Sequence, residues 1–258
     1  MPFPNLAGKH AHEAFFDPRD IIDYARTHGM WEDFPLPDGV IFTYSPRLLD
    51  RVLSRERAER RGRLAGELYL VTREGGMVGL CGRFGIGSAI ATTLMEELVA
   101  VGLQRFVSIG LAGGLQKDLA IGDLVLCERA IRDEGVSHHY LAPAKYAYPS
   151  AALSERLGRA LAASGAGFRV GTSWTIDAPY RETVEELRQY RAEGVQTVEM
   201  EAAGLAAVAE HRGVEFATAF TISDSLADLV WNPQFWAPET ERGLDMLYEA
   251  AVAALTER

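Results

Sequence analysis

The chain has 258 residues, 48% hydrophobic and 24% charged, and its 36 Asp and Glu against 26 Lys and Arg leave a net charge of −10. An acidic balance of this size argues against the phosphate backbone of nucleic acid and against anionic membrane surfaces as partners, because both bind clustered cations. Cys81 and Cys127 each lie inside an apolar run, so both read as buried thiols rather than as a disulfide framework or part of a zinc site.

The N-terminal stretch MPFPNLAGKHAHEAFF lacks a continuous apolar segment between a basic start and a small-residue cleavage site, and no apolar run is long enough to span a bilayer. A cytoplasmic location is therefore expected. No Pro/Ser-rich linker or low-complexity run divides the chain, so residues 1–258 are expected to form one domain, with 1–38 as an N-terminal extension. The first expected strand is VIFTY, from Val40. The run RERAERRGR, residues 55–63, interleaves Glu with Arg and reads as a solvated helix face. Further strands are expected at ELYLV from Glu67, MVGLC from Met77, FVSIG from Phe106, DLVLC from Asp123, RVGTSWT from Arg169, VQTVE from Val195 and EFATAFTIS from Glu215. Helices are expected near 87–103, 151–163, 182–193 and 201–212, and from about 238 to the end. In that last helix Leu244, Leu247, Tyr248, Ala251 and Leu255 share one face. This alternation predicts an α/β fold: a single domain with a mixed β-sheet flanked by helices on both sides.

In such folds ligands bind beyond the carboxyl ends of the strands, and three of those ends are unusual. CGRFGIGSAI (81–90) places Gly82, Gly85 and Gly87 between a strand and a helix, and SIGLAGGL (108–115) reads the same way with Gly110, Gly113 and Gly114. Neither has the order of a dinucleotide fingerprint or a phosphate loop, so a tight strand-to-helix turn remains an alternative to backbone approach to a ligand. The third is TVEMEAAG (197–204), which sets Glu199, Met200 and Glu201 at the mouth of an alanine-rich helix. Asp224, in ISDSL at the end of an apolar strand, reads either as a helix or turn cap or as an acid in apolar surroundings that raise its affinity for a proton. A serine hydrolase is not indicated, since G-x-S-x-G is absent.

VEMEAAG followed by TISDSL, together with GIGSAIATTLMEELVAVGLQRFVSIGLAGGL and RDEGVSHHYLAP, resembles the nucleoside phosphorylase family of purine nucleoside and uridine phosphorylases, which also contains the methylthioadenosine nucleosidases. The resemblance runs over roughly 77–226 and implies cleavage of a nucleoside's N-glycosidic bond by phosphate or water. Breaking that bond passes through a cationic sugar, so the enzyme gains by holding the ribose hydroxyls and by protonating the departing base. By resemblance, Glu201 binds the 2′- and 3′-hydroxyls, Met200 lies under the sugar, Asp224 protonates N7 of a purine, and Gly113, Ser223, Trp174 and Tyr180 surround the base. Trp174 and Tyr180 read equally as core aromatics. Glu199 is expected to point away from the Met200–Glu201 pair as a hydrogen-bonded or surface carboxylate. TIDAPYRET (175–183) lacks the GQxR loop with which pyrimidine-specific members read uracil, so a purine is expected. His10 and His12 stand where family members supply a histidine to the 5′-hydroxyl across a subunit boundary, with a polar terminal segment as the alternative.

The acceptor side departs from the family. Ser108 replaces a phosphate-clamping Arg, Leu111 replaces a Ser or Thr, and TYSPRLLD (43–50) stands in for the phosphate loop with Tyr44, Ser45, Pro46 and Arg47. Two readings follow. In one, phosphate as co-substrate binds Arg47, Arg83 and the Gly85–Gly87 backbone beside Ser108 and Leu111, with an Arg of a neighbouring subunit as a further donor; in the other, water takes its place. A non-catalytic nucleoside-binding protein is a third reading, opposed by the presence of both Glu201 and Asp224. His138 and His139 lack a third ligand at metal spacing, so neither a metal nor another cofactor is expected. Family resemblance implies a homo-oligomer, a dimer or a trimer of dimers, and the segment LADLVWNPQFWAP (226–238) reads as a lid, an interface or packing against its own domain.

Overall fold

A computed structural model describes residues 3–63, 66–165 and 167–257. Its strands are β1 (Val40–Thr43), β2 (Ala58–Arg63), β3 (Glu67–Arg73), β4 (Gly76–Gly82), β5 (Arg105–Gly114), β6 (Leu124–Asp133), β7 (Tyr146–Ala147), β8 (Phe168–Ile176), β9 (Thr197–Glu199), β10 (Glu215–Ser225) and β11 (Asn232–Pro233). Its helices are α1 (Pro18–Thr27), α2 (Pro46–Arg55), α3 (Ser88–Ala100), α4 (Ser137–Tyr140), α5 (Ala151–Ala163), α6 (Val184–Ala192), α7 (Ala202–Arg212) and α8 (Pro238–Thr256).

The expected mixed sheet is present, and part of it closes on itself. Strand β10 pairs with β6, β6 with β8, β8 with β9, β9 with β5, and β5 returns to β10. Strands β1, β4, β3 and β2 extend outward from β5 in that order, while β11 pairs with β10 and β7 with β6. Both faces are covered, so strand runs are apolar throughout rather than alternating. In β1, Val40 and Phe42 face the core under α3 and α7, while Ile41 faces the core under α2, α5 and α8.

Helix α7 is buried from Ala202 through Ala209, which explains its alanine content: a helix enclosed on all sides needs small side chains to let neighbours approach. At Gly204 a Cβ would come within 2.9 Å of the Ser88 side chain on α3. The N-terminal segment is tied to this layer. Asp17 caps α1, Ile22 is buried, and Arg212 reaches both Asp17 (3.2 Å) and Glu96 (2.6 Å).

Two expectations are corrected. Residues 55–63 are not a helix: α2 ends at Arg55, and 58–63 form the edge strand β2, paired antiparallel with β3. Mixed charge reported solvation, which an edge strand shares with a helix face, and Arg60 pairs there with Glu67 at 3.0 Å. Gly110, Gly113 and Gly114 are not a strand-to-helix turn but the last part of β5, and β6 follows without an intervening helix. No helix among the described residues is long and apolar enough to cross a membrane.

Candidate active site

The ends of β5, β9 and β10 and the starts of α3 and α7 meet around a cleft of about 620 Å³, a size suited to a small organic ligand. Strand β10 runs parallel to β5, and their register slips between Ile222 and Asp224, so that Asp224 stands beside Gly113. This bulge turns Asp224 into the cleft. Its Oδ1 accepts from the Ser223 hydroxyl at 2.8 Å and its Oδ2 from the Trp231 indole N–H at 3.0 Å. Gly113 must be glycine, since a Cβ there would run into Leu226 and lie 3.0 Å from Val198 and 3.3 Å from Asp224 Oδ2.

Strand β9 ends at Glu199, which breaks the alternation that would have aligned it with Glu201. Glu199 is buried and accepts four hydrogen bonds: Thr175 Oγ1 (2.5 Å), Ser173 Oγ (3.1 Å), and the backbone N–H groups of Glu201 (2.8 Å) and Ala202 (2.7 Å). The last two are the free donors at the start of α7, so Glu199 caps that helix in place of an N-cap side chain. The expectation of a hydrogen-bonded carboxylate holds, but the side chain is no surface group and it also lines the cleft. Glu201 follows as the N-cap residue, with Oε1 accepting from Gly87 N–H at 2.5 Å. Burial and the neighbouring Glu199 carboxylate push its acid up to about 8. Met200 lies between the two carboxylates on the cleft wall, its carbonyl held by Ser88 Oγ at 2.8 Å.

At the opposite end Tyr44 lies over Gly110, where a Cβ would meet its ring at 3.1 Å, and its hydroxyl pairs with Ser108 Oγ at 3.0 Å. Burial drives the Tyr44 phenol well above its ordinary range, so it is a neutral hydroxyl. Leu111 adds apolar wall beside it. The lining includes the carboxylates of Glu182, Glu199, Glu201 and Asp224, and no Lys, Arg or His is among its described residues.

A family profile described as the phosphorylase superfamily matches residues 40–255. The chain belongs to this superfamily. It is 33% identical over 143 residues to a guanosine phosphorylase of Halorubrum lacusprofundi, covering 55% of this chain and 59% of that protein. It is also 32% identical over 149 residues to a uridine phosphorylase of Thermococcus kodakarensis, covering 50% and 52%, and 33% identical over 146 residues to a purine nucleoside phosphorylase of Caldanaerobacter subterraneus, covering 55% and 62%. The matches thus span about half to three-fifths of these relatives. A uridine phosphorylase crystal structure from Vibrio fischeri shares the fold, with a TM-score of 0.72, 24% identity, and coverage of 85% of this chain and 90% of that one.

Within this superfamily fold, Glu201, Met200, Asp224, Ser223, Gly113 and Tyr180 line one cleft, as does Leu111. Other candidates lie elsewhere. Trp174 is fully buried, donates its indole N–H to Asp133 at 2.9 Å and packs against Tyr190 in a core cluster with Ile131 and Val198, so it is core. Arg47 is turned to Glu241 at 3.0 Å, and Arg83 to Glu67 at 2.6 Å and to Asp50, so neither reaches the acceptor end. Gly87 contributes its N–H to Glu201 rather than to an anion, and Gly85 is a left-handed turn outside the lining. Ser108 reaches the cleft through Tyr44. His10 and His12 lie in or beside a short turn that packs on α4, away from this chain's own cleft. His138 and His139 sit in α4, engaged with the Arg132 carbonyl (3.1 Å) and Lys9 (2.7 Å), and no group of three or more potential ligands occurs among the described residues.

The segment 226–238, read from the sequence as a lid, an interface or packing against its own domain, places Leu226, Leu229, Trp231 and Phe235 in the cleft wall, whereas sequence reasoning missed Glu182. The Pro-bounded aromatic cluster after Asp224 was the available signal for the wall. Nothing local marked Glu182, which reaches the cleft because the turn Pro179–Arg181 folds over it.

Proposed function

We propose that this protein cleaves the N-glycosidic bond of a purine nucleoside, releasing the free base, with phosphate as acceptor and ribose 1-phosphate as second product. The observation that carries this reading is the convergence on one cleft of Met200 and Glu201, from the end of β9, and Asp224, from the end of β10. In it, the ribose 2′- and 3′-hydroxyls take the place of solvent at Glu201, whose hydrogen bonds to them strengthen as the sugar becomes cationic. Met200 offers a polarisable, proton-free surface to the sugar ring. Asp224 delivers the proton that lets the base depart neutral, held in line by Ser223 and Trp231. Acid, sugar clamp and acceptor suffice for this chemistry, so no cofactor is assigned. Phosphate is favoured by the names of the relatives; its positive partner would come from a second copy of the chain, which makes a homo-oligomer part of this reading. Salvage of nucleosides in the cytoplasm is the setting it implies.

A second reading, hydrolysis by water, is favoured by one observation. A phosphate dianion needs cationic donors, and the cleft pairs two neutral hydroxyls, Tyr44 and Ser108, with carboxylates instead. Base release from purine and pyrimidine nucleosides, measured with and without added phosphate, separates the two. Release that depends on phosphate and yields ribose 1-phosphate supports the first; equal release in its absence supports the second; no release from any nucleoside sinks both.

A further inference from the structure

The paired histidines of α4 answer to different partners, and the difference lies in which ring nitrogen carries a proton. His138 Nε2 stands 3.1 Å from the Arg132 carbonyl, an acceptor only, so that nitrogen bears a hydrogen. This bond persists whether or not the ring is charged. His139 Nδ1 stands 2.7 Å from the Lys9 ammonium, a donor only, so that nitrogen is the bare one of a neutral ring. A second proton on His139 would set two donors and two positive charges against each other. Phe3 meets both imidazoles in edge arrangements, with ring centroids 5.5 Å apart in each pair. Lys9 and Phe3 thereby fasten to α4 a segment whose own backbone hydrogen bonds are local: Ala11 N–H to the Gly8 carbonyl at 2.9 Å and His12 N–H to that of Lys9 at 3.0 Å.

We propose that Lys9, Phe3 and His139 form an acid-released clasp on the N-terminal segment, closed while His139 is neutral and opened when its ring takes a proton. The charges around α4 favour release. Burial first, then Lys9 and His138, hold the proton affinity of His139 below its ordinary value. The turn Lys9–Ala11 carries Lys9 and His10 and no carboxylate. Glu134 accepts from the Val136 and Ser137 N–H groups, and together with Glu210 of α7 it faces the Arg132 guanidinium. Also on α7, Arg212 is paired with Glu96 and Asp17, and His211 meets Tyr140 edge-on at 5.3 Å. Because the folded-state affinity is lowered, the contact is present above the ordinary value of 6.5 and is lost as pH falls through the lower folded one. Asp17, which caps α1 and pairs with Arg212, anchors the chain beyond the clasp. Opening therefore frees the residues before α1, His10 and His12 among them.

The test is hydrogen exchange of the full chain, read by mass spectrometry as the protection of residues 3–12 relative to intrinsic exchange, at about pH 7.5 and about pH 5. In the wild type this protection is expected to fall by about threefold or more at the lower pH while α1 keeps its own. Lys9→Met removes the donor from an exposed position and is expected to leave protection low at both pH values. In His139→Gln the amide oxygen accepts from Lys9 at either pH, so protection is expected to stay high at both. Unchanged protection in the wild type, a fall in His139→Gln equal to that of the wild type, or a fall that α1 shares would each overturn the clasp. Lys9→Met behaving as the wild type would do the same, and this variant keeps the test decisive even where His139→Gln does not fold.

Discussion

The two ends of the cleft are built on opposite principles. At the sugar end two buried carboxylates are crowded together: Glu199 accepts from four donors, while Glu201 accepts from the Gly87 N–H at Oε1. At the acceptor end two neutral hydroxyls pair with each other and Leu111 covers the rest. The sugar end thus holds acceptor capacity in place before a ligand arrives, at some expense of stability, whereas the acceptor end carries no charged side chain of its own and only feels the nearby Glu201 and Glu199. Function-bearing strain of this kind is tolerated because the surrounding core is extensive.

The most severe way to break the comparison is to remove the acid that works between the two ends. Asp224→Asn keeps an acceptor oxygen for the Trp231 indole and turns its amide N–H toward the Ser223 hydroxyl, which can accept it, and is expected to lower base release by about 10²–10⁴-fold while nucleoside binding, followed by calorimetry, persists. Unchanged turnover would remove Asp224 from the chemistry. Glu201→Gln comes next: above about pH 8, where the wild-type carboxylate is ionised, kcat/KM is expected to fall by about 10²-fold through loss of charge-assisted hydrogen bonds to ribose.

The same variant sharpens the contrast in stability. The folded-state acid of Glu201 lies near 8, above its ordinary value of 4.5, and that of Glu182 lies near 7. Between those ordinary and raised values the folded protein holds protons that the unfolded chain has released. Stability contributed by these groups is therefore present at pH 4.5 and is lost as pH rises through about 8. Glu201→Gln, which cannot ionise, is expected to melt a few degrees above wild type at pH 8.5 and to match it near pH 5, on the order of 2–4 °C per kcal/mol for a domain of this size. A variant that melts lower at both pH values would show that the carboxylate is not strained.

Glu199→Ala should act in the opposite sense. It leaves the α7 N-terminus and the Ser173 and Thr175 hydroxyls without their shared acceptor, at roughly 1–3 kcal/mol for each buried group left unpaired, and the melting temperature should drop by about 5 °C or more. A smaller change would mean that water replaces the carboxylate. The mildest test is Tyr44→Phe at the acceptor end. It strands only Ser108 Oγ and is expected to cost about 1 kcal/mol in stability and less than about tenfold in turnover. A loss as large as that of Asp224→Asn would move Tyr44 into the reaction itself.

Much of this architecture was legible in advance. Strands announced themselves as apolar runs because both sheet faces are covered, and Glu201, Met200 and Asp224 could be picked out because each sits at a strand end beside a short motif. The misplacements share a cause. Trp174, Arg47 and Arg83 were assigned from motif position, but a one-residue change of face, or a carboxylate contributed by a distant helix, decides where such side chains point. Arg47 turns away because Glu241 of α8 stands next to it, 194 positions later in the chain, a partner that no local pattern can name. Strand β2 was read as a helix face because mixed charge reports exposure, which edge strands and helix faces share.

By itself, the sequence determined the alternation of strands and helices, the acidic surface and the residue types available for sugar and base, since these depend on local periodicity and composition. Only the tertiary structure decided that β5 and β10 close a ring, that Glu199 caps α7 while Glu201 stays available, and that no cation among the described residues lines the acceptor end. Those outcomes turn on pairings between residues far apart in the chain, set by how the sheet closes.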